Sequence, residues 1–420
     1  MNYLLKNGKV YMGGKFVKRD LSIIDGEVFL STPTDVSSFS VIDCLNKYIF
    51  PGFVDVHVHL REPGFSYKET VKTGTQAAAA SGYSALFTMP NLNPVPDSVE
   101  SLKIQQDMID KDALVSVYPV AAITKGEKGL ELSDMEELAP HVLAFSDDGR
   151  GVQKEEFMIS AMEIAKKHDK VISAHCEDDS LLNGGYIHDG EYARIHGHKG
   201  ICSESEYKQV ERDLKLVNKI GVKYHVCHVS AAESVEAIRK AKKEGVNVTA
   251  ETGPHYLVFN DMMLLDDGGF KMNPPIRSER DRLALIEGIK DGTIDAIATD
   301  HAPHSAEEKS KGLLSLNGIV GLETAFPVIY TEFVKSGQLT LEKVIEIMSV
   351  NPSERFGIDV KIADGKRANL AVFDLEKEYV INPDEFLSKG RSTPFKGRKV
   401  YGKCLVNFCN GRKVYDINEK

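Results

Sequence analysis

Apolar runs of six to nine residues recur through the middle of the chain, each followed by a polar-apolar stretch of helical period. The runs are 53–59, 84–90, 114–122, 141–147, 170–176, 223–229, 247–252 and 295–300. The intervening stretches include KETVKTGTQAAAASG, EEFMISAMEIAKKH and AAESVEAIRKAKKEG. Continuous apolar runs mark strands buried on both faces, and their alternation with amphipathic helices predicts repeated βα units around a parallel sheet. Eight such units predict a (β/α)8 barrel over 51–357. The first 50 residues and the stretch 358–420 read differently, as short strand-like pieces separated by turn residues. The two ends are therefore expected to pair into one small composite β domain, 1–50 plus 358–420.

Composition narrows the function. With 42% apolar and 27% charged residues the chain can bury a large core. Its 52 Lys and Arg against 62 Asp and Glu leave a net charge of −10 and no basic run, which argues against nucleic acid or an anionic membrane as partner. No apolar run reaches the ~18–20 residues of a membrane span, and the N-terminus has no signal-like segment, so a cytoplasmic protein acting on a small molecule is expected. The six cysteines form no C-x-x-C pair and suit a reducing compartment.

In a barrel of this kind the reacting groups sit at the C-terminal ends of the strands. Those ends carry His57 and His59, then Asp147-Asp148-Gly149, His175, His228 and Asp300. Alternation places His57 and His59 on one face, able to share an ion. A lone histidine at a strand end is more often structural than a ligand; six metal-type side chains at five strand ends are far more specific. Imidazole and carboxylate without thiolate suit catalytic Zn²⁺, with one carboxylate able to bridge two ions, activate a water and support hydrolysis of an amide-like bond. Asp300 can both bind an ion and carry a proton to the leaving nitrogen. Arg61, two residues beyond His59, is placed to pair with a substrate carboxylate. His225 is expected on the opposite strand face from His228, Cys176 and Cys227 in the barrel-to-helix layer, and His255 beside the ligands. The polar stretch 301–317 is longer than an ordinary βα loop and reads as a lid.

PGFVDVHVHLREPG, TMPNLNPVPD, SDDG, AHCED, HVCHVS, ETGPHYL, KMNPPIR, ATDHAPH and NPSERFGI together resemble the amidohydrolase superfamily, and within it the class I bacterial dihydroorotases. The resemblance implies that His57 and His59 bind one Zn²⁺ and His175 and His228 a second, with Asp148 bridging and Asp300 completing the first site. It further implies that Arg61, Asn91 and His304 hold the substrate carboxylate, that Asn273 and the Asn317-Gly318 backbone contact the ring amides, and that His59 also lies against the substrate. The implied reaction is the interconversion of N-carbamoyl-L-aspartate and L-dihydroorotate, with a homodimer and association with aspartate carbamoyltransferase as implied assemblies. The alternatives are a dihydropyrimidinase, hydantoinase or allantoinase on the same scaffold, or a non-catalytic scaffold homologue.

Overall fold

The computed structural model describes residues 1–419. Eight strand positions follow one another around a closed parallel barrel. The first two strands, Phe53–Val58 and Tyr83–Thr88, pair with each other and then with Ser116–Pro119. A second arc runs from Ala121–Ala122 through Ala144–Ser146, Val171–Ala174, Lys223–Val226 and Val248–Thr252 to Ala296–Ile297. The third apolar run is thus two short strands. Pro119 has no N–H to extend the ladder, and Val120 instead donates to Thr88 O at 3.0 Å. The barrel shuts between its ends, where His59 N donates to His301 O at 2.8 Å and Val58 bridges His301 in parallel register.

Helices cover the outside where the periodicity places them. Val71–Ala80 starts at Thr70, whose side chain accepts from Thr73 N while Thr73 returns a bond to the Thr70 backbone. Glu155–Lys167 and Ala232–Lys243 each bury one stripe: Met158, Ala161, Met162 and Ala165 on the first, Val235, Ile238 and Ala241 on the second.

Both chain ends build one mixed sheet of eight strands. Its seam pairs Tyr48–Pro51 antiparallel with Leu370–Asp374, so strands more than 300 residues apart lie side by side. Tyr3, Leu5, Val10, Leu21, Ile23, Leu370, Val372 and Phe408 form its own buried cluster. The sheet leads straight into the first barrel strand, and aromatic rings fasten the two. Phe50 stacks on Phe373 at 4.9 Å between centroids, and Phe326 meets Phe50, Phe53 and Phe373 at 5.6, 5.1 and 4.7 Å. The connection between the last sheet strands does not stay in that sheet. Ser388 and Lys389 N bond Glu69, Ser392 O accepts from Val320 N, and Phe395 packs on Phe259, so this segment braces the barrel beside its mouth.

All six cysteines are free thiols, and no helix among the described residues is long and apolar enough to cross a membrane.

Candidate active site

Asp55, on the first barrel strand, accepts from the Thr299 hydroxyl at 2.6 Å and from Thr299 N, which fixes the first strand against the eighth. Burial holds its carboxyl up at about 7. The staple sets His57, His59 and Asp300 into one corner. His59 Nε2 lies 3.0 Å and His57 Nε2 3.6 Å from Asp300 Oδ1. Asp148 closes the other side, with Oδ1 3.1 Å from His57 Nε2, 3.7 Å from His175 Nδ1 and 3.6 Å from His228 Nε2. Asp147 turns away: its carboxylate accepts from Ile123 N, Thr124 N and the Thr124 hydroxyl, anchoring the strand end. Of the two aspartates, Asp148 is the one that faces four imidazoles.

The proton inventory of this corner is short of donors. His57 donates through Nδ1 to Glu251 Oε1 at 2.9 Å, so in the neutral ring Nε2 is an acceptor facing Asp148; against the cost of burial, that carboxylate raises the ring's pKa well above the ordinary imidazole value by drawing a positive charge to that nitrogen. His59 likewise donates through Nδ1 to Asn91 Oδ1 at 2.8 Å. Its Nε2 also faces carboxylate oxygen. His175 Nδ1 and His228 Nε2 face each other at 2.8 Å with the same Asp148 oxygen beside both. His57 Nε2 and Asp148 Oδ1 are buried with no hydrogen-bond partner. Imidazole and carboxylate acceptors converging in a buried site, where either added protons or cations must satisfy them, are what divalent cations neutralise, and the donor set of four imidazoles and two carboxylates fits Zn²⁺. Burial would raise the Asp148 carboxyl, but the His57, His175 and His228 imidazoles hold it well below the ordinary carboxylate range.

Three members of the site sit in the left-handed region reserved mostly for glycine: Arg61 at φ 63°, His228 at 33° and Asp300 at 47°. Such strain costs on the order of 1–3 kcal/mol per residue and concentrates where side-chain aim matters. At His228 it overturns two expectations from alternation. The strand ends at Val226, and the positive φ swings His228 inward, so His225 and Cys227 also face the barrel interior. Cys227 Sγ lies 3.1 Å from Ser173 Oγ and within 4.8 Å of the ligating atoms of His57 and Glu251; it is not in the barrel-to-helix layer. Cys176 does lie in that layer, against Tyr224. His225 donates to Glu251 Oε2 at 3.0 Å and so supports His57 through that carboxylate.

A cavity of about 450 Å³ opens above the cluster, bordered by His59, Arg61, Asn91, Asp148, His175, His228, Asn273, Asp300, His304, Asn317 and Gly318. Of the residues assigned to metal or substrate from sequence, His57 alone does not border it. Several contacts differ from those expected. Asn91 is engaged by both ends of its amide, to His59 and, at 3.4 Å, to Asp148 Oδ2, so it orients ligands as well as bordering the cavity. Gly318 N is taken by Lys271 O at 3.0 Å. Its φ of 134° and an alanine carbonyl that would meet a Cβ at 2.4 Å admit only glycine there. The stretch 301–317 is folded down rather than standing free, with Leu313 fully buried.

Arg61 and His304 stand at one end of the cavity, Arg61 Nη2 3.4 Å from His304 Nε2. Burial, then the neighbouring Arg61 and Lys68, lowers the His304 pKa to about 4, so the ring is neutral. It donates to Asn317 O at 2.7 Å and accepts from Lys68 Nζ at 3.2 Å. Arg61, lowered by burial to about 10, remains cationic. His255 is buried and held neutral near 4 by desolvation.

Glu251, Glu177 and Lys68 were missed in the sequence. Glu177 Oε2 lies 3.5 Å from His175 Nε2 and both its oxygens accept from Asn273 Nδ2, leaving Asn273 Oδ1 unpartnered. Glu251 alone had a signal, as an acid inside the apolar run 247–252. Burial works against its charge, yet His225 and His57 keep it ionised. Glu251→Gln therefore removes one of two acceptors that set ring orientation, and is expected to weaken metal retention or activity by about 10–100-fold. Metal content after dialysis checks this; wild-type retention and turnover would remove Glu251 from the site.

Residues 46–234 match the family described as Dihydro-orotase-like. The chain is 49% identical to the dihydroorotase of Fusobacterium nucleatum and 48% identical to that of Listeria monocytogenes, in each case over 99% of both chains. Solved structures of similar fold include the L-hydantoinase of Arthrobacter aurescens (TM-score 0.87, 24% identity, covering 99% of this chain and 96% of that one). The dihydropyrimidinase of Brevibacillus agri is another (TM-score 0.86, 22% identity, 99% and 95% covered). Near-half identity along the whole length, on an amidohydrolase barrel, is decisive: this chain belongs to the dihydroorotase family.

Proposed function

We propose that this protein opens and closes the dihydroorotate ring, with two Zn²⁺ ions in the cluster. Its reading as a cyclic-amide hydrolase rests on the family; the choice of substrate rests on one feature of the site. A guanidinium stands in the same cavity as the imidazole–carboxylate cluster, where a bidentate pair with a ring carboxylate would orient the amide toward Asp300. Dihydrouracil, hydantoin and similar rings lack that carboxylate and would leave a buried cation unpaired.

The residues then divide the work. His57, His59 and Asp300 would hold one ion, His175 and His228 the other, and Asp148 would bridge them. Ions held there supply a nucleophile at neutral pH and polarise the carbonyl under attack. Arg61 binds the ring carboxylate. The neutral His304 offers its Nε2 hydrogen at the same end, shared with Asn317 O. The unpartnered Asn273 Oδ1 accepts from a ring N–H, and Glu177 fixes that amide by accepting from its Nδ2 with both carboxylate oxygens. Asp300 accepts the proton of the attacking water and passes it to the ring nitrogen as the carbon–nitrogen bond breaks. A free carboxylate and a carbamoyl NH2 result.

A homodimer, association with aspartate carbamoyltransferase and a two-part division at 1–50 plus 358–420 and 51–357 belong to the same reading.

Arg61→Gln tests the substrate choice. It is expected to raise KM for dihydroorotate by about 100-fold, the loss of a charge-assisted bidentate pair, and to leave the slow opening of dihydrouracil within threefold. Equal losses on both substrates would refute the carboxylate role.

A further inference from the structure

The stretch after the eighth strand is held by a lysine that no part of the chemistry uses. Lys309 is only 6% exposed. Its Nζ donates to Lys271 O at 3.0 Å, Leu316 O at 2.7 Å and Gly318 O at 2.7 Å. An ammonium has three hydrogens and no lone pair, so these three carbonyls satisfy it completely. None is a carboxylate. The nearby acid Glu308 is paired elsewhere, with Lys68 at 2.9 Å. A second cation, Lys271, lies close enough to disfavour the charge, and burial disfavours it more. The chain thus buries a lysine with no carboxylate at ion-pair distance: burial and Lys271 lower its pKa to about 7, while the three main-chain carbonyls, with Asp267 and Glu308 farther off, favour its charged form.

Its three acceptors come from two walls of the substrate cavity. Lys271 precedes Asn273 by two residues on one wall, and Leu316 and Gly318 flank Asn317 on the other. The walls meet directly as well, since Gly318 N donates to the same Lys271 O. Lys309 fills the corner behind that contact, and Gly268 lets the backbone come close there, because a Cβ on it would meet Lys309 O at 2.3 Å. On the cavity side, His304 takes hold of Asn317 O. Asn317 is therefore fixed from the front by His304 and from behind by Lys309.

We infer that Lys309 is a positioning residue for substrate: it sets the spacing between Asn273 and Asn317 and acts on the reaction only through them. This rests on the reading above that those two residues face the ring. Removing the ammonium would leave three carbonyls without their shared donor and free the two walls to part. Displacements of ~1 Å in substrate-positioning groups can cost up to about 100-fold. The loss would appear in substrate binding rather than in the ions, whose ligands Lys309 does not touch.

Lys309→Met keeps the length of the stem and deletes the donors; Lys309→Arg keeps the charge, but its planar fork cannot reach three carbonyls arranged around a point. Two measurements on the full-length, zinc-loaded protein decide. With dihydroorotate, Lys309→Met should raise KM about 10–100-fold, hold kcat within threefold and keep the wild-type zinc content, and Lys309→Arg should raise KM by a smaller factor. Without substrate, a glutamate-specific protease should cut after Glu307 or Glu308 at least tenfold faster in both variants than in wild type. The inference is overturned by wild-type KM together with wild-type cleavage, or by a fall in kcat and zinc content with KM unchanged. If Lys309→Met does not fold, the arginine variant decides alone, and KM and cleavage within twofold of wild type would overturn the inference. Should wild-type protein fail to open dihydroorotate, the proposed function falls; the cleavage rates then still decide whether Lys309 pins the two walls.

Discussion

Asp300→Asn is expected to fold normally and to lose turnover by at least about 10²–10⁴-fold in both directions, the range for a missing general acid–base. The side chain keeps its shape, and the Asp55–Thr299 staple that places it is untouched. What disappears is the carboxylate that lies nearest His59 at the open cavity, 3.0 Å from its Nε2. The pH dependence follows from the same group. Ring closure converts the dianion N-carbamoyl-L-aspartate and one proton into the monoanion dihydroorotate and water, so cyclisation consumes a proton that hydrolysis releases. Burial would raise the Asp300 carboxyl, but the His59 and His57 imidazoles that face it hold it below the ordinary aspartate range. It is therefore ionised at neutrality, the form hydrolysis needs, and hydrolysis should gain toward alkaline pH while cyclisation gains toward acid. Initial rates in each direction across pH check both statements. Turnover by Asp300→Asn within threefold of wild type, or a single pH limb shared by the two directions, would remove Asp300 from proton transfer.

Asp148→Ala should be as damaging by a different route. Its Oδ1 is the one oxygen within 4 Å of His57, His175 and His228 together, and that oxygen has no proton partner of its own. Without it, no carboxylate stands between the His57–His59 pair and the His175–His228 pair, and two cations would repel each other across the gap. The variant is expected to retain less than half of the wild-type metal after gel filtration and to fall at least about 100-fold in turnover, with circular dichroism unchanged. A full metal complement would show that Asp148 does not bridge.

The barrel was legible because parallel strands buried on both faces leave continuous apolar runs, and because the ligand types fall where those runs stop. Alternation carried the reading through His57 and His59, which lie at the end of the first barrel strand and just beyond it. It failed at Cys227, where the strand has already ended and a positive φ at His228 resets which side chains face inward. It failed also within 114–122, which Pro119 divides. The supporting residues were hidden for a different reason. Glu177, Lys68 and Lys309 act through partners 96, 236 and up to 38 residues away in sequence, and no local pattern distinguishes them from solvated surface charges. The resemblance assigns Asn91 and Gly318 to substrate. The structure shows their polar groups already engaged with His59, Asp148 and Lys271, which makes their first role the shaping of the cavity.

This site should open dihydroorotate, and only with its metal ions in place. The most direct test is the rate of dihydroorotate hydrolysis by purified protein of measured zinc content, before chelation, after it, and after zinc is restored. Turnover should rise with zinc up to two ions per chain, fall at least about 100-fold on chelation and return on reconstitution. Undiminished turnover by metal-free protein, or no turnover of dihydroorotate by fully loaded protein, would contradict it.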